Sequence, residues 1–579
     1  MTSSRIRSGT AATALFILLT IWFTWPQISA LDSIVPHQDP MFSTWRVAWI
    51  AHQLPRDPLH LLDANILYPA RGTAVYSDAA PLLGLLAAPL LWLGAPAVYA
   101  YNVMLLAAFV TAALGAFLLV RELTGSAAAG IFAGIVFAFS PFRFEHYNHL
   151  EIIWSCWIPL SLWALHRTIA TGRWWFGILT GLFIAAQVFS CVYLAVFLAT
   201  WLAVIGVLML ALRMLDVRSQ AFRALVAGVI LAGVLVAPYA SAYMGSSRVV
   251  GTRSTEETQF YSALAVNYLG SPPTNLLYGW TSAQWGKDEK ALFPGVTAIV
   301  LAIIGLWPPL CRRRVLYALA LLFAFDLSRG LYGFTYGPLR EAITFFQGLR
   351  VAARAVTMMQ LSLAVLGGYG VARLLGVKRG ADGSARDGSA RGEGAQDERV
   401  QGERAQSERA QSEGKLPVVG VAVTAIAVLL TIVEYTNRPI PLMRMPTKPT
   451  VLQSWLADQH DIVIAELPFA RADRLPGEDP RYQFLSTFHW QKMVNGYSAF
   501  VPPRYFGLME RMLRFPRPAA LASLRARGVT HIVIHPEIYD REEPYAMVRG
   551  MATSPDFAFV GWFPDTLGTA AVFRLLPEP

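Results

Sequence analysis

Apolar runs as long as a bilayer is thick recur through this chain and end near Tyr435. A helix of about 20 apolar residues crosses the hydrocarbon core, and inside lipid the backbone must satisfy its own hydrogen bonds. The runs therefore commit residues 1–435 to a bundle of membrane-spanning α-helices. By hydropathy and charge, about eleven transmembrane helices are predicted, at roughly 10–30, 98–120, 127–142, 151–169, 174–192, 193–212, 222–240, 292–310, 314–330, 353–375 and 416–435. The fifth and sixth meet in a tight hairpin at Ser190–Tyr193. The run from Ala11 to Ala30 is longer than a secretory h-region, holds Trp22 and Trp25, and lacks a small-residue cleavage site. It reads as an uncleaved first span.

Charge gives the run of the chain a direction. Only 15% of residues are charged, against roughly a quarter in soluble domains. A formal charge of +10 would otherwise point to nucleic acid. The excess sits instead in short connections: Arg5 and Arg7 before the first span, Arg167 and Arg173 after the fourth, Arg213, Arg218 and Arg223 after the sixth, Arg312, Arg313 and Arg314 after the eighth. With the N-terminus inside, all face the cytoplasm, as the positive-inside bias expects. Membrane lipids, and no nucleic acid, are the predicted partners. An odd span count then puts everything after Tyr435 on the outer side. Cys156, Cys191 and Cys311 have neither metal-type spacing nor a disulfide pattern and read as small apolar core residues.

Residues 436–579 are more polar and alternate strand-like with helical patterns. DIVIAEL, THIVIH, FAFVGWF and AAVFRLL read as strands; TVLQSWLADQ and AALASLRARG read as helices, the second stopped by Gly528. A soluble C-terminal α/β domain follows. Residues 379–415, built of DGSAR-like and Gln-x-Glu-Arg units, have no aromatics and almost no large apolar side chains. They read as a disordered cytoplasmic loop without chemistry.

Polar chemistry gathers in the outer loops. The first, 31–97, is too acidic and aromatic for a connector. Within it Met41–Leu54 sets Phe42, Trp45 and Trp49 on one helical face and reads as a helix in the headgroup plane. Pro81–Gly94 reads as a short interfacial or re-entrant helix. Asp39, in HQDPMF, is the leading candidate for a catalytic base; it equally suits a helix N-terminus, with Pro40 at the first helical position. Asp78, in VYSDAAP, is a second catalytic candidate, with helix capping as its structural alternative. Asp57 and Asp63 read as turn or cap residues.

The segment SPFRFEHYNHLEIIW adds Glu145 as a third candidate acid, His146, and Arg143, His149 and Glu151 as candidate substrate contacts. Asp39, Glu145 and His149 could together hold a divalent cation such as Mg or Mn, although HxxH alone defines no metal site and hydrogen bonding explains the same residues. In FQGLRVAAR, Arg350 and Arg354 lie four apart and suit a phosphate; snorkelling to headgroups is the plain alternative. His489, Asn495 and Tyr497, in STFHWQKMVNGYSAFVPPRY, are candidate ligand contacts in a stretch that reads otherwise as ordinary loop packing.

At these residues the chain resembles the GT-C superfamily of integral-membrane glycosyltransferases. HQDPMFSTWRVAWIAHQL, DANILYP, SDAAP and SPFRFEHYNHLE look like segments of uncharacterised bacterial members, and FQGLRVAAR and NGYSAFVPPRY look like segments of the related YfhO-type membrane proteins. The likeness is architectural more than motif-level and covers the chain apart from the low-complexity insert. It implies inverting transfer of a sugar from a polyprenyl-phosphate donor to a glycan, lipid or protein acceptor at the outer face of a bacterial inner (plasma) membrane, with a first-loop acid as base. That role falls on Asp39. Some members carry paired acids there; this chain has His37-Gln38-Asp39, which puts metal dependence in doubt.

Two other readings fit parts of the sequence. A non-catalytic protein that binds or translocates a lipid-linked glycan would share the architecture. A small-solute transporter would favour ionisable groups deep in the spans; Asp326 and Glu434 lie instead near predicted span ends, and no inverted repeat is visible. A Walker-type loop, a GxSxG elbow and an HExxH helix are absent from the sequence.

Overall fold

The computed structural model describes residues 3–377, 418–539 and 544–578; the predicted disordered loop 379–415 lies outside the described residues. Helix α1 (Ser3–Phe23) leads into the first loop, which carries α2 (Gln38–Gln53) and α3 (Pro81–Trp92). Then follow α4 (Ala97–Thr124), α5 (Ala127–Phe139), the short α6 (Pro141–Glu145) and α7 (Leu150–Ile153), α8 (Trp157–Thr171), α9 (Trp174–Ser190), α10 (Val192–Ala211) and α11 (Gln220–Val250). Later helices run over Val296–Leu306, Arg312–Ser328, Val356–Leu374 and Val418–Tyr435.

A helix thus stands at each predicted span, but their lengths differ from the prediction. Among the described residues, 6 are long and apolar enough to cross a membrane: Ala97–Thr124, Ala127–Glu145, Val192–Ala211, Gln220–Val250, Ala352–Leu374 and Val418–Tyr435. α9 and Val296–Leu306 are apolar but shorter. The predicted fourth span is split, because α7 ends at Ile153 and α8 begins at Trp157. That break leaves Glu151 in a separate helical turn.

Glycine lets the helices touch main chain to main chain. A Cβ on Gly181 of α9 would lie 1.9 Å from the carbonyl oxygen of Gly228 in α11, and one on Gly228 would lie 2.0 Å from that of Gly177. Small residues four apart are the usual means of such close approach in membranes. Gly305 and Gly370 do the same between Val296–Leu306 and Val356–Leu374, with carbonyl oxygens 2.1 Å from each added Cβ. The latter helix is buried from Val356 to Ala372. It is the central post of the bundle, apolar on every side, and Arg350 and Arg354 lie immediately before it.

Among the described residues, seven strands form two sheets. β1 (Ser33–Ile34) pairs antiparallel with β2 (Met443–Arg444), joining the start of the first loop to the segment after the last membrane helix. β3 (Val463–Leu467), β4 (Lys492–Met493), β5 (His531–Ile534), β6 (Phe557–Asp565) and β7 (Gly568–Leu575) form a mixed sheet in the order β4-β3-β5-β7-β6. β3 runs parallel to β4 and β5, and β7 antiparallel to β5 and β6. The predicted strands coincide with β3, β5, β6 and β7. The predicted helices appear as Val451–Ala457 and Pro518–Arg525, and the chain leaves the second through Gly528 at φ +72°. β3 is buried along its whole length, as a central parallel strand should be.

The first loop and this sheet share one apolar core, in which Trp45, Trp49 and Ile66 meet Val494, Tyr505 and Leu508. Main-chain bonds reinforce it: Met493 N donates to Asn65 O at 2.7 Å, Leu67 N to Asn495 O at 2.9 Å and Tyr68 N to Met493 O at 2.9 Å. A Cβ on Gly496 would sit 2.9 Å from both Ile66 Cβ and Leu67 Cγ. The structure therefore corrects the headgroup-plane reading of Met41–Leu54. In α2, Pro40 through Ala51 are buried. Phe42 packs edge-on against Tyr497 with ring centroids 5.6 Å apart, and Trp49 against Trp490 at 5.9 Å. The other side is taken by Gly84 of α3, where an added Cβ would lie 2.3 Å from Ile50 Cβ. An aromatic stripe at helical spacing serves protein packing here.

Candidate active site

His37 caps α2, accepting from the main-chain N–H of Asp39 through Nδ1 at 3.2 Å. This sets Asp39 in the first helical turn with its carboxylate free to reach outward. Oδ1 accepts from the Tyr497 hydroxyl at 2.8 Å. Oδ2 lies 3.0 Å from His149 Nε2 and 3.4 Å from His37 Nδ1. Burial pushes the Asp39 carboxyl up, but the hydrogen bond and charge of His149, with help from His37 and Tyr497, outweigh it and hold Asp39 at about 2. Burial likewise pulls His149 down, and Asp39 more than reverses it, so the imidazole gains its proton more readily than usual. Behind it, His146 Nδ1 lies 3.3 Å from His149 Nδ1. Burial, then the charge of Arg354, keeps His146 neutral well below the ordinary histidine range. A protonated His149 thus donates to Asp39 from one ring nitrogen and to His146 from the other.

The arginines stand across from this acid. Arg354 donates from Nε at 3.1 Å and Nη2 at 2.7 Å to Glu289 Oε2, and Arg350 Nη2 lies 3.4 Å from Glu289 Oε1. The Arg354 guanidinium lies 4.8 Å from the centroid of the Tyr193 ring, and that of Arg350 4.6 Å from Tyr261. Such flat, stacked forks are the geometry that recognises phosphate oxygens.

Two further acids are already partnered. Glu151 Oε2 accepts from Arg46 Nη2 at 2.6 Å, and Arg46 also donates to the main-chain carbonyl of Asp78. Asp78 Oδ1 accepts from Val192 N at 2.7 Å. It therefore caps the start of α10 rather than α3, whose own N-cap, Ala80, makes no side-chain bond. Burial, with repulsion from Glu151, pushes Asp78 up to about 6 despite that cap.

A cavity of about 380 Å³ connects these groups. Of the residues singled out from sequence, Asp39, Asp78, His149, Glu151, Arg350, Arg354 and Tyr497 line it, drawn from the first loop, the α6–α8 connection, the approach to Val356–Leu374 and the C-terminal segment. The others stand behind the wall. Arg143 is buried, donating to Ile153 O at 2.7 Å and to the Ser155 hydroxyl, with its guanidinium over Phe109. Glu145 closes α6, partly buried, outside the lining. His489 is buried, accepts from Gln491 N at 3.1 Å, and is pulled by burial down to about 3. Asn495 Oδ1 accepts from Glu466 N at 2.7 Å, while its amide donates to Glu466 O at 3.0 Å and Asp479 Oδ1 at 3.2 Å. It anchors the turn that presents Tyr497.

Asp39 and His149 spend their facing atoms on each other, and Glu145 is not in the cavity wall. Among the described residues, no group of three or more His, Cys, Asp or Glu side chains is arranged to hold a metal ion. The trio named from sequence does not fit a divalent cation as placed.

Sequence reasoning missed several groups. Glu289 joins both arginines, Arg46 holds Glu151, and Asp479 lines the cavity with Tyr505 donating to it at 2.7 Å. Burial pushes Asp479 up to about 7. Glu289 sits in GKDEKAL and Asp479 in PGEDPRY, where neighbouring acids make either look like solvated surface.

Bundle, sheet and cavity together define a polytopic helical membrane protein whose acid–arginine cavity lies where the first loop, the membrane helices and the C-terminal sheet meet. The chain belongs to the family described as "Domain of unknown function (DUF6311)", whose model matches residues 42–365. Among solved structures, it is similar to the arabinofuranosyltransferase AftD from Mycobacteria, with 14% identity and a TM-score of 0.57 over 99% of this chain and 40% of that one. A structure of a mutant AftD gives 16% identity and a TM-score of 0.56, over 99% and 42%. The chain thus spans about two fifths of the length of AftD. These likenesses show the fold alone. The similarity to YfhO-type proteins has no counterpart among them. No curated protein matches the chain.

Proposed function

We propose that this protein is an inverting GT-C-type glycosyltransferase that takes a sugar from a polyprenyl-phosphate donor and passes it to an envelope glycan, lipid or protein acceptor. One observation carries the reading: the polar cavity adjoins an apolar groove, sharing part of its wall. Val196 and Phe345 line both. The groove, of about 680 Å³, continues along α10 past Ala199, Ala203 and Val204 and is closed by Phe323, Leu339 and Phe346. A charged head beside a hydrocarbon channel fits a lipid phosphate better than a free sugar nucleotide.

In this reading Arg350 and Arg354 hold the donor phosphate and the isoprenoid tail follows α10. The acceptor hydroxyl oxygen attacks the anomeric carbon from the face opposite the phosphate. As that bond forms, the carbon–phosphate oxygen bond breaks, and the lipid phosphate leaves with the electron pair. The hydroxyl proton becomes acidic as its oxygen bonds to carbon, and Asp39, ionised at every working pH, accepts it. The arginines stabilise the charge growing on the leaving phosphate. Residues 436–579 form the domain that completes the cavity and selects the acceptor, on the periplasmic or extracellular side, with the N-terminus in the cytoplasm.

The test is transfer of radiolabelled sugar from bacterial polyprenyl-phosphate donors by the purified protein, beside Asp39→Asn and with or without EDTA. Turnover that is lost in the variant and untouched by EDTA supports the reading. Saturable donor binding with no turnover for any donor would make the protein a lipid-glycan binder or translocator instead.

A further inference from the structure

The phosphate reading rests on two guanidiniums four residues apart in sequence, and like charges placed close together repel. A shared carboxylate, Glu289, touches both. Glu289 takes Arg354 on Oε2 and Arg350 on Oε1, and among the described residues Nη1 of Arg354 has no hydrogen-bond partner. Glu289 itself is not part of the cavity lining, whereas both arginines are. It joins the two forks from outside that lining, with Arg350 Nη1 3.9 Å from Glu257 Oε1. The backbone is bent to put it there: Asp288 and Glu289 are consecutive non-glycine residues in the left-handed region, at φ +57° and +62°. Strain of this kind persists where surrounding structure enforces it. Lys290 supplies part of that enforcement, donating to Phe260 O at 2.8 Å with its ammonium 4.9 Å from the Phe260 ring centroid.

We propose that Glu289 is a positioning residue that sets the Arg350–Arg354 fork for the phosphate of the donor lipid. The proposal rests on the arginines being the phosphate site, and the experiment separates the two. Binding of farnesyl monophosphate, farnesol and inorganic phosphate is measured for the detergent-purified full chain and for Glu289→Gln, Glu289→Asp and Arg354→Gln, together with thermal midpoints and the KM and kcat for donor. Glu289→Gln should weaken farnesyl monophosphate about tenfold, raise donor KM by a similar factor, and leave farnesol binding and the melting midpoint near wild type. Glu289→Asp should fall between the two. Inorganic phosphate should follow the same order if the head alone is read, and should not bind if the lipid tail is required; either pattern supports the role when the farnesyl monophosphate effect is present. Unchanged or tighter farnesyl monophosphate binding in Glu289→Gln would overturn it, since the carboxylate would then be idle or a competitor. Equal loss of farnesol and farnesyl monophosphate with a lowered midpoint would also overturn it, as a purely structural role. If Arg354→Gln binds farnesyl monophosphate like wild type, the phosphate site itself is wrong and the proposal falls with it.

Discussion

Tyr497 donates its hydroxyl to Asp39 across 458 residues of sequence, at 2.8 Å. The bond makes the C-terminal domain a part of the acid's immediate surroundings. Removing it with Tyr497→Phe withdraws a hydrogen bond to a charged group, about 1.5–3 kcal/mol. Transfer should fall roughly tenfold to a hundredfold, and Asp39→Asn should cost about 10²–10⁴-fold. Single-turnover assays at saturating donor check both.

Two acids of the cavity should show opposite pH behaviour. Asp39 is held down at about 2, so its contribution to stability is present above the ordinary carboxylate range and is lost only as pH falls toward 2. Asp78 is pushed up to about 6. Its contribution is full below the ordinary value of 3.8 and is lost as pH rises through 6. Asp78→Asn keeps an acceptor for Val192 N and should flatten the dependence of the melting midpoint on pH between about 4 and 6, measured by thermal unfolding in detergent.

The arginines divide by placement. Arg143 is tied to Ile153 O and Ser155 behind the cavity, so Arg143→Leu should lower stability, by loss of buried hydrogen bonds. Arg354→Lys keeps the charge but loses the fork and should act on donor KM with little change in melting midpoint. Side-by-side thermal and kinetic measurements distinguish the two effects.

Helix contact through glycine gives a stability prediction free of chemistry. Gly228→Val forces a side chain onto the Gly177 carbonyl and should destabilise by about 1–3 kcal/mol or more. Gly206→Val, in α10 with nothing within 4 Å of an added Cβ, should be tolerated. Size-exclusion profiles and melting midpoints read the difference.

What the sequence made legible follows from range. Hydropathy and charge located the helices, since length and apolarity are local; the short strand-like runs DIVIAEL and AAVFRLL located β3 and β7 for the same reason. Asp39, His149, Arg350 and Arg354 were legible as residue types suited to acid–base and phosphate chemistry. Their convergence was not, because it depends on packing between segments hundreds of residues apart. Arg143 looked like its neighbours in SPFRFEHYNHLE until the turn at Ile153 was seen to claim it. The aromatic face of α2 looked like a membrane face because its partners, Trp490 and Tyr497, come from the far end of the chain. Glu289 carried no local signal at all.

The short ladder between β1 and β2 has a consequence for how such a protein is made. It joins Ser33 to Arg444 and Ile34 to Met443, so the intervening chain is a closed ring as soon as the last membrane helix has been inserted. A ribosome delivers Met443 to an edge whose other half was synthesised about 400 residues earlier, at ≈ 5–20 residues per second. Completion of the bundle can thus be registered by this clasp before the sheet exists, while the face of α2 that Trp490 and Tyr497 cover stays open for roughly 20–90 s of synthesis.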